Sequence, residues 1–335
     1  MNSLLASKAY ATFLGLVIGD VLGAPVQFGV SSNAIRQNIE RLKNYCDNSV
    51  LSKGVYTDDT SMALCLADSL IEKRGYDSYD IMEKFRNWEN NGYRSYFDYG
   101  YDVGTQTDIA IREYEKNPII PKEKERLFNA GNGSVMRLAP TVIAAASTQD
   151  LERTVKIAWL SGRETHYSEV AEMCTQVFAN LLYRALHLNK DAKKSAVLDL
   201  DNLYFTEKKF EEAWLDNSWM VMPRANSDGE CLRDLGGYAV DAITIAIWGV
   251  KNFDSFEEGM LEVLQLGGDT DTNCAIYGQL AGAYYGMEEI PERWQEDLAI
   301  SKEAIFELVD ELLKLPSCEV LKTRFEEDPE FSEPA

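Results

Sequence analysis

Two short acidic segments, Thr57-Asp58-Asp59-Thr60 and Gly267-Gly268-Asp269-Thr270-Asp271-Thr272, lie on opposite sides of any division of this chain, and each opens directly into an apolar, helix-like run. If their carboxylates share one site, the chain must fold as one compact domain. The chemistry favours sharing, because carboxylates and hydroxyls grouped at the starts of two helices form an all-oxygen cage for hard divalent cations. Either segment alone also reads as an ordinary helix start: Thr57 suits an N-cap, Asp58 and Asp59 suit the first turn, and Gly75 suits the stop. The pair reads differently. Four carboxylates brought together without a cation repel and take up protons, and one or two metal ions remove that cost.

The rest of the chain fits this picture. Apolar residues recur at three- and four-residue spacing, as in Leu64, Ala67, Leu70 and Ile71, then Val170, Met173, Cys174, Val177 and Leu181. Alternating strand-like runs are scarce, so the expected fold is all-α: a compact single-domain helical bundle over residues 1–325, with a binuclear metal cleft and an acidic C-terminal tail at 326–335. Soft regions are expected at Asn44 to Gly54, Asn117 to Lys124, Lys190 to Asn202 and after Arg324. Two glycine stripes, Gly15, Gly19 and Gly23, then Gly278, Gly282 and Gly286, each recur at intervals of four and predict helix faces that pack backbone to backbone.

Charge and cysteine usage narrow the partners. The formal net charge of -22 over 335 residues opposes nucleic acid and anionic membranes and attracts basic surfaces. Six scattered cysteines, Cys46, Cys65, Cys174, Cys231, Cys274 and Cys318, show no paired spacing and read as reduced residues of a cytoplasmic protein. The apolar stretch from Ala9 to Val30 is bordered by Lys8 and interrupted by Asp20 and Pro25, and reads as neither signal peptide nor membrane span.

Neither box contains histidine or cysteine, which points to Mg²⁺ or Mn²⁺ rather than zinc. With Thr57, Asp58, Asp59, Asp269, Asp271 and Thr272 as ligands, two ions about 3.5–4 Å apart would orient a sugar diol and activate water. A third segment, Gly131-Asn132-Gly133-Ser134-Val135-Met136-Arg137, reads as a small-residue loop entering a helix, whose amides suit a phosphate. A fourth, Asp102-Val103-Gly104-Thr105-Gln106-Thr107, reads alone as a helix cap.

Together with Gly19-Asp20-Val21-Leu22-Gly23-Ala24-Pro25, Thr165-His166 and Gly237-Tyr238, these segments resemble the ADP-ribosylglycohydrolase family in their order, over roughly Tyr10 to Gly286. The resemblance implies an all-helical fold with a binuclear Mg²⁺ or Mn²⁺ centre held by the six residues above. It implies that Gly131, Asn132, Gly133 and Ser134 hold a diphosphate, that Asp102 lies near the scissile ribose, that Tyr238 stacks on adenine and that His166 lies on the adenosine side. Read structurally instead, Tyr238 is a core aromatic and Arg137 the partner of a buried carboxylate.

One departure stands out. Many family members carry a glutamate seven residues after the aspartate of the first motif, and here that position is Gln27. An amide cannot transfer a proton as a carboxylate does. The expected activity is hydrolysis of the bond joining ADP-ribose to a protein side chain, arginine first, with Asp59 or Asp102 as proton acceptor and Gln27 near the reacting groups. The alternative is an ADP-ribose-binding or immunity protein that counters an ADP-ribosyltransferase with little turnover. A different two-metal hydrolase, such as a phosphoesterase, is a third reading that the ordered motifs disfavour.

Overall fold

The computed structural model describes residues 3–48, 50–120, 130–215 and 237–325. Cys231, residues 121–124 of one expected soft region and the acidic tail at 326–335 therefore lie outside the described residues. The first half carries α1 (Ser3–Gly23), the short α2 (Ser32–Gln37) and α3 (Ile39–Leu42), then α4 (Asp58–Lys73), α5 (Ser78–Asn91), α6 (Thr105–Lys116), α7 (Gly133–Met136), α8 (Ala139–Ala146) and α9 (Leu151–Arg163). The second carries α10 (Glu169–His187), α11 (Lys194–Val197), α12 (Lys208–Leu215), α13 (Ala239–Asn252), α14 (Phe256–Leu264), α15 (Thr270–Tyr285), α16 (Glu292–Gln295) and α17 (Lys302–Leu313).

The glycine stripes position the site. A methyl group on Gly15 would lie 2.2 Å from the Gly278 carbonyl oxygen, one on Gly19 2.2 Å from that of Cys274, and one on Gly282 2.0 Å from that of Ala11. Real Cβ atoms do not tolerate such distances, so only glycine permits this approach. The order of these contacts makes α1 and α15 antiparallel, which brings the end of α1 to the start of α15. Gly286 departs from the expected stripe, since α15 ends at Tyr285 and Gly286 takes φ +82 beyond it.

Helix α1 with its following turn is long and apolar enough to cross a membrane by length and composition. In this fold it is the buried central helix, with Phe13, Leu14, Leu16, Val17 and Ile18 shielded completely. Lys8 stays inside because its ammonium donates to the carbonyls of Ala185 and Leu188 at 2.7 Å each.

One strand pair departs from the all-helical expectation. β1 (Tyr76–Asp77) pairs in parallel with β2 (Val320–Lys322) and ties the end of the described chain to α4 and α5. This pairing explains Gly75, whose added Cβ would lie 2.7 Å from the Glu319 carbonyl. The left-handed residue that stops α4 is Arg74 at φ +59, so Gly75 serves the passing strand rather than the helix stop. Buried Arg324 completes the tie with Nε 2.5 Å from Glu164 Oε2.

Candidate active site

The first acidic segment is capped from another helix. Thr57 occupies the N-cap of α4, yet its side chain makes no capping bond. Asp20 of α1 takes that role, accepting from the backbone N–H of Thr57 at 2.9 Å and of Thr60 at 3.0 Å, and from the hydroxyls of Thr57 at 2.9 Å and Thr60 at 2.6 Å. Burial pushes Asp20 up to about 6, opposed by these bonds. With capping assigned to Asp20, it no longer accounts for Asp58 and Asp59. The signal for Asp20 was in the sequence: one carboxylate inside an otherwise apolar helix.

The second segment follows the same plan. Asp269 is the N-cap residue of α15 without a capping bond. Its Oδ2 accepts instead from Asn132 Nδ2 at 2.7 Å and from the Gly237 N–H at 3.1 Å. The Asn132 N–H donates to the Gly237 carbonyl at 2.8 Å and the Ala239 N–H to that of Ala130 at 2.8 Å, so the two loops are zipped together beside Asp269.

The two boxes meet at Asp59. Its Oδ2 accepts from the hydroxyl of Thr57 at 3.3 Å and from that of Thr272 at 3.4 Å, one from each segment. Its Oδ1 is fully buried with no partner. Asp58, Asp59, Asp269 and Asp271 are all buried, at 8%, 0%, 5% and 1% exposure. Burial first, then the neighbouring carboxylates, push Asp58, Asp59 and Asp271 well above the usual carboxylate range. Burial also raises Asp269, against the bond from Asn132. Among the described residues no lysine or arginine donates to any of the four.

This arrangement fits a hard divalent ion. Asp59 Oδ1 is a buried donor atom awaiting a partner, and every nearby donor is oxygen. Among the described residues no three His, Cys, Asp or Glu side chains suffice to hold an ion by themselves. The hydroxyl oxygens of Thr57 and Thr272 lie beside Asp59 Oδ2 and add to the oxygen-rich surroundings.

A cavity of about 390 Å³ opens over these groups. Asp58, Asp269, Asp271 and Thr272 line one part of it, and Gln27, Phe28, Asp102, Gly131, Asn132, Gly133 and His166 are among the other lining residues. Thr57 and Asp59 lie beneath the wall. Gln27 Nε2 donates to Asp102 Oδ2 at 2.5 Å, and Asp102 holds a left-handed backbone at φ +64, a cost that clusters at functional positions. Gln106, in the segment read as a helix cap, also lines the cavity and donates to the Thr165 carbonyl at 2.9 Å.

Four expected binding residues, Gly131, Gly133, Ser134 and Tyr238, have surroundings that the simplest reading did not include. The space over the loop glycines is taken by an imidazole: a Cβ on Gly133 would lie 2.6 Å from His166 Cε1, and one on Gly131 3.1 Å from Nε2. These glycines admit the His166 ring. Ser134 is buried and accepts from Thr175 Oγ1 at 3.1 Å, so its hydroxyl is directed into the core. Tyr238 is 39% exposed at the start of α13, not a core aromatic, and lies outside the residues that line the cavity.

Arg137 is fully buried, and among the described residues it pairs with no carboxylate. It donates to the Gly133 carbonyl at 2.7 Å, to Thr165 Oγ1 at 2.7 Å and to the Ser161 carbonyl at 3.3 Å, and its guanidinium lies 4.8 Å from the Phe85 ring centroid. Burial lowers it to about 10. Thr165 Oγ1 in turn lies 2.7 Å from His166 Nδ1, so Arg137 braces both the glycine loop and the imidazole.

Comparison with known proteins identifies the family. The family model described as ADP-ribosylglycohydrolase matches residues 1–319. The ADP-ribosylarginine hydrolase Tri1 of Pseudomonas putida (strain GB-1) is 29% identical over 301 residues, which cover 88% of this chain and 75% of that protein. The ADP-ribosyl-[dinitrogen reductase] glycohydrolase of Rhodospirillum rubrum is 29% identical over 315 residues, covering 92% of this chain and 96% of that one. A solved structure of an ADP-ribosylglycohydrolase-related protein complex superposes with a TM-score of 0.71 at 32% identity, covering 93% of this chain and 98% of that chain.

Proposed function

The chain belongs to the ADP-ribosylglycohydrolase family, and on that premise we propose that it is a metal-dependent hydrolase that removes ADP-ribose from arginine side chains of a modified protein. The observation that carries this reading is the meeting of four buried carboxylates, none matched by a protein cation among the described residues, three of them lining one cavity with Asn132, His166 and Asp102. The linkage to arginine draws on the relative named for that activity.

Thr57, Asp58, Asp59, Asp269, Asp271 and Thr272 are the residues that would hold two Mg²⁺ or Mn²⁺ ions, which when bound supply Lewis-acid polarisation of ribose hydroxyls and a more acidic water. The protein residues have separate tasks. Asn132 and His166, with the Gly131–Gly133 backbone, border the part of the cavity that takes the diphosphate and adenosine side. Asp102, exposed at the mouth, is the proton acceptor for water attacking the anomeric carbon. As the carbon–nitrogen bond breaks, that proton replaces the sugar on the departing guanidine nitrogen, and free ADP-ribose results. Gln27 holds Asp102 by its amide N–H and leaves the acid–base role to the carboxylate. Asp59 lies too deep for that exchange and suits a ligand role.

The competing reading, a binder without turnover, rests on Gln27, whereas the relatives above are hydrolases by name. Incubation with ADP-ribosylated arginine and serine substrates, with and without Mg²⁺ or Mn²⁺, tests both. Metal-dependent release of ADP-ribose from arginine is expected. Tight ADP-ribose binding with no release from either substrate at any metal level would overturn the proposal.

A further inference from the structure

Large apolar side chains that remain exposed are costly unless something covers them. Three aromatics at this end of the molecule do so: Phe28 at 53%, Tyr96 at 52% and Tyr99 at 49% exposure. They sit on the two segments that the Gln27–Asp102 hydrogen bond joins: Phe28 lines the cavity next to Gln27, and Tyr96 and Tyr99 lie on the loop that leads to the exposed Asp102.

These rings are held in place. Phe97, between Tyr96 and Tyr99, packs with Tyr101 against a small separate core of Ala24, Leu51 and Val55. Its ring stacks on Tyr99 at 5.5 Å and meets Tyr96 edge-on at 5.3 Å. The Gly100 N–H donates to the Glu89 carbonyl at 3.0 Å and the Phe97 N–H to Ser95 Oγ at 3.2 Å. Phe28 is fixed by its N–H to the Gly268 carbonyl at 2.9 Å, and it takes a left-handed backbone at φ +44 while its side chain stays half exposed at the edge of the cavity. A strained backbone that presents an apolar ring to water gains nothing in folding.

Charge identifies the visitor. The exposed carboxylates of Asp98 and Asp102 alternate with these aromatics along the same loop. Two neighbouring cations are committed elsewhere: Arg94, at the start of this loop, grips Asp68 with two bonds of 2.6 Å, and Lys53, which shares a recess with Tyr96, pairs with Asp297 at 2.7 Å. Tyr96 also walls an open recess of about 410 Å³ with Val55, Leu298, Ala299 and the Lys53–Asp297 ion pair. Aromatic faces interleaved with carboxylates are the chemistry that recognises guanidinium and ammonium groups. The formal charge of -22 steers such a partner inward.

We propose that the Tyr96–Asp102 loop, with Phe28, is the docking surface for a basic segment of the protein substrate, flanking the side chain that carries ADP-ribose. This deepens the hydrolase reading and rests on it for the placement of the modified side chain. Affinity for a modified protein then has two sources, the cavity and the rim, whereas a free ADP-ribosyl-arginine molecule uses the cavity alone.

The test compares the wild type with the double variant Tyr96→Ser, Tyr99→Ser, two side chains outside the cavity wall. The expected result is a KM for an arginine-modified basic protein raised about tenfold with kcat unchanged, while kcat/KM for free ADP-ribosyl-arginine stays within about twofold. No change on the protein substrate, or a parallel loss on both substrates, overturns the proposal. A second arm needs no turnover: fluorescence anisotropy of a labelled arginine-rich peptide without ADP-ribose. Binding by the wild type that the double variant loses is expected, and equal binding, or none by the wild type, counts against the surface. Failure of the wild type to hydrolyse either substrate would sink the hydrolase reading and leave this arm to decide the surface.

Discussion

A methyl group placed on Gly23 would lie 2.3 Å from the backbone nitrogen of Asp271, so the end of α1 and the first turn of α15 touch backbone to backbone. That contact sets the second acidic segment beside Asp20, which caps the first. The site's geometry therefore depends on a residue with no side chain.

Gly23→Ala is expected to destabilise the fold by about 1–3 kcal/mol or more and to reduce metal affinity, because neither backbone can retreat without moving a ligand-bearing turn. Gly104→Ala is the control: an added Cβ there meets nothing within 4 Å, and φ is -64. Urea unfolding of both variants checks this. Equal midpoints for Gly23→Ala and the wild type would contradict the close-packing argument.

Metal removal should expose the cost of gathering the carboxylates. Divalent ions that bind only the folded protein raise its melting temperature with concentration, and chelator lowers it. In chelator, Asp58→Asn is expected to melt above the wild type by a few degrees, since one buried charge is gone. In saturating Mg²⁺ or Mn²⁺ the order should reverse. Differential scanning fluorimetry with and without chelator reads both, and turnover by Asp58→Asn or Asp271→Asn should vanish with the fold intact.

Gln27→Glu sets two carboxylates at the 2.5 Å contact where Gln27 Nε2 now meets Asp102 Oδ2. They would share a proton, so kcat/KM should gain a second ionisation on its acid side that the wild type lacks. Gln27→Ala should lower kcat, because Asp102 loses its only positioning partner among the described side chains. A pH–rate profile unchanged by Gln27→Glu would show that the two residues do not act together.

Stability should also carry a pH signature from a carboxylate outside the cavity lining. Burial, then the hydrogen bond with Asp108, pushes Glu89 up to about 7 from 4.5, with Arg112 opposing. As pH rises through this interval the unfolded chain releases its proton while the folded protein keeps it. Stability from this group therefore falls between about pH 4.5 and 7 and is level above. Glu89→Gln should abolish that decline, so its melting temperature exceeds that of the wild type more at pH 7.5 than at pH 4.5. Parallel melting curves across the range would refute the assignment.

Much of this protein was legible along the chain because its signals are local. Three- and four-residue apolar spacing gave the helices, and the intervals of four in glycine gave the backbone contact between α1 and α15, except at Gly286, where the helix has already ended. The acidic boxes marked the helix starts on which Asp58, Asp59, Asp269 and Asp271 converge. The ordered motifs, from Gly19-Asp20 to Asp271-Thr272, carried the family.

Tertiary structure alone decided which of two roles a residue takes, since the same side chain can bond a ligand or a neighbour. It made Asp20 the cap of α4, turned Arg137 to neutral acceptors instead of a carboxylate, and directed the Ser134 hydroxyl into the core. It filled the space over Gly131 and Gly133 with the His166 ring and joined Gln27 to Asp102 across 75 positions of sequence. Residue type and spacing define what a group can bond. Only the folded chain brings a partner within the roughly 3 Å over which a hydrogen bond acts.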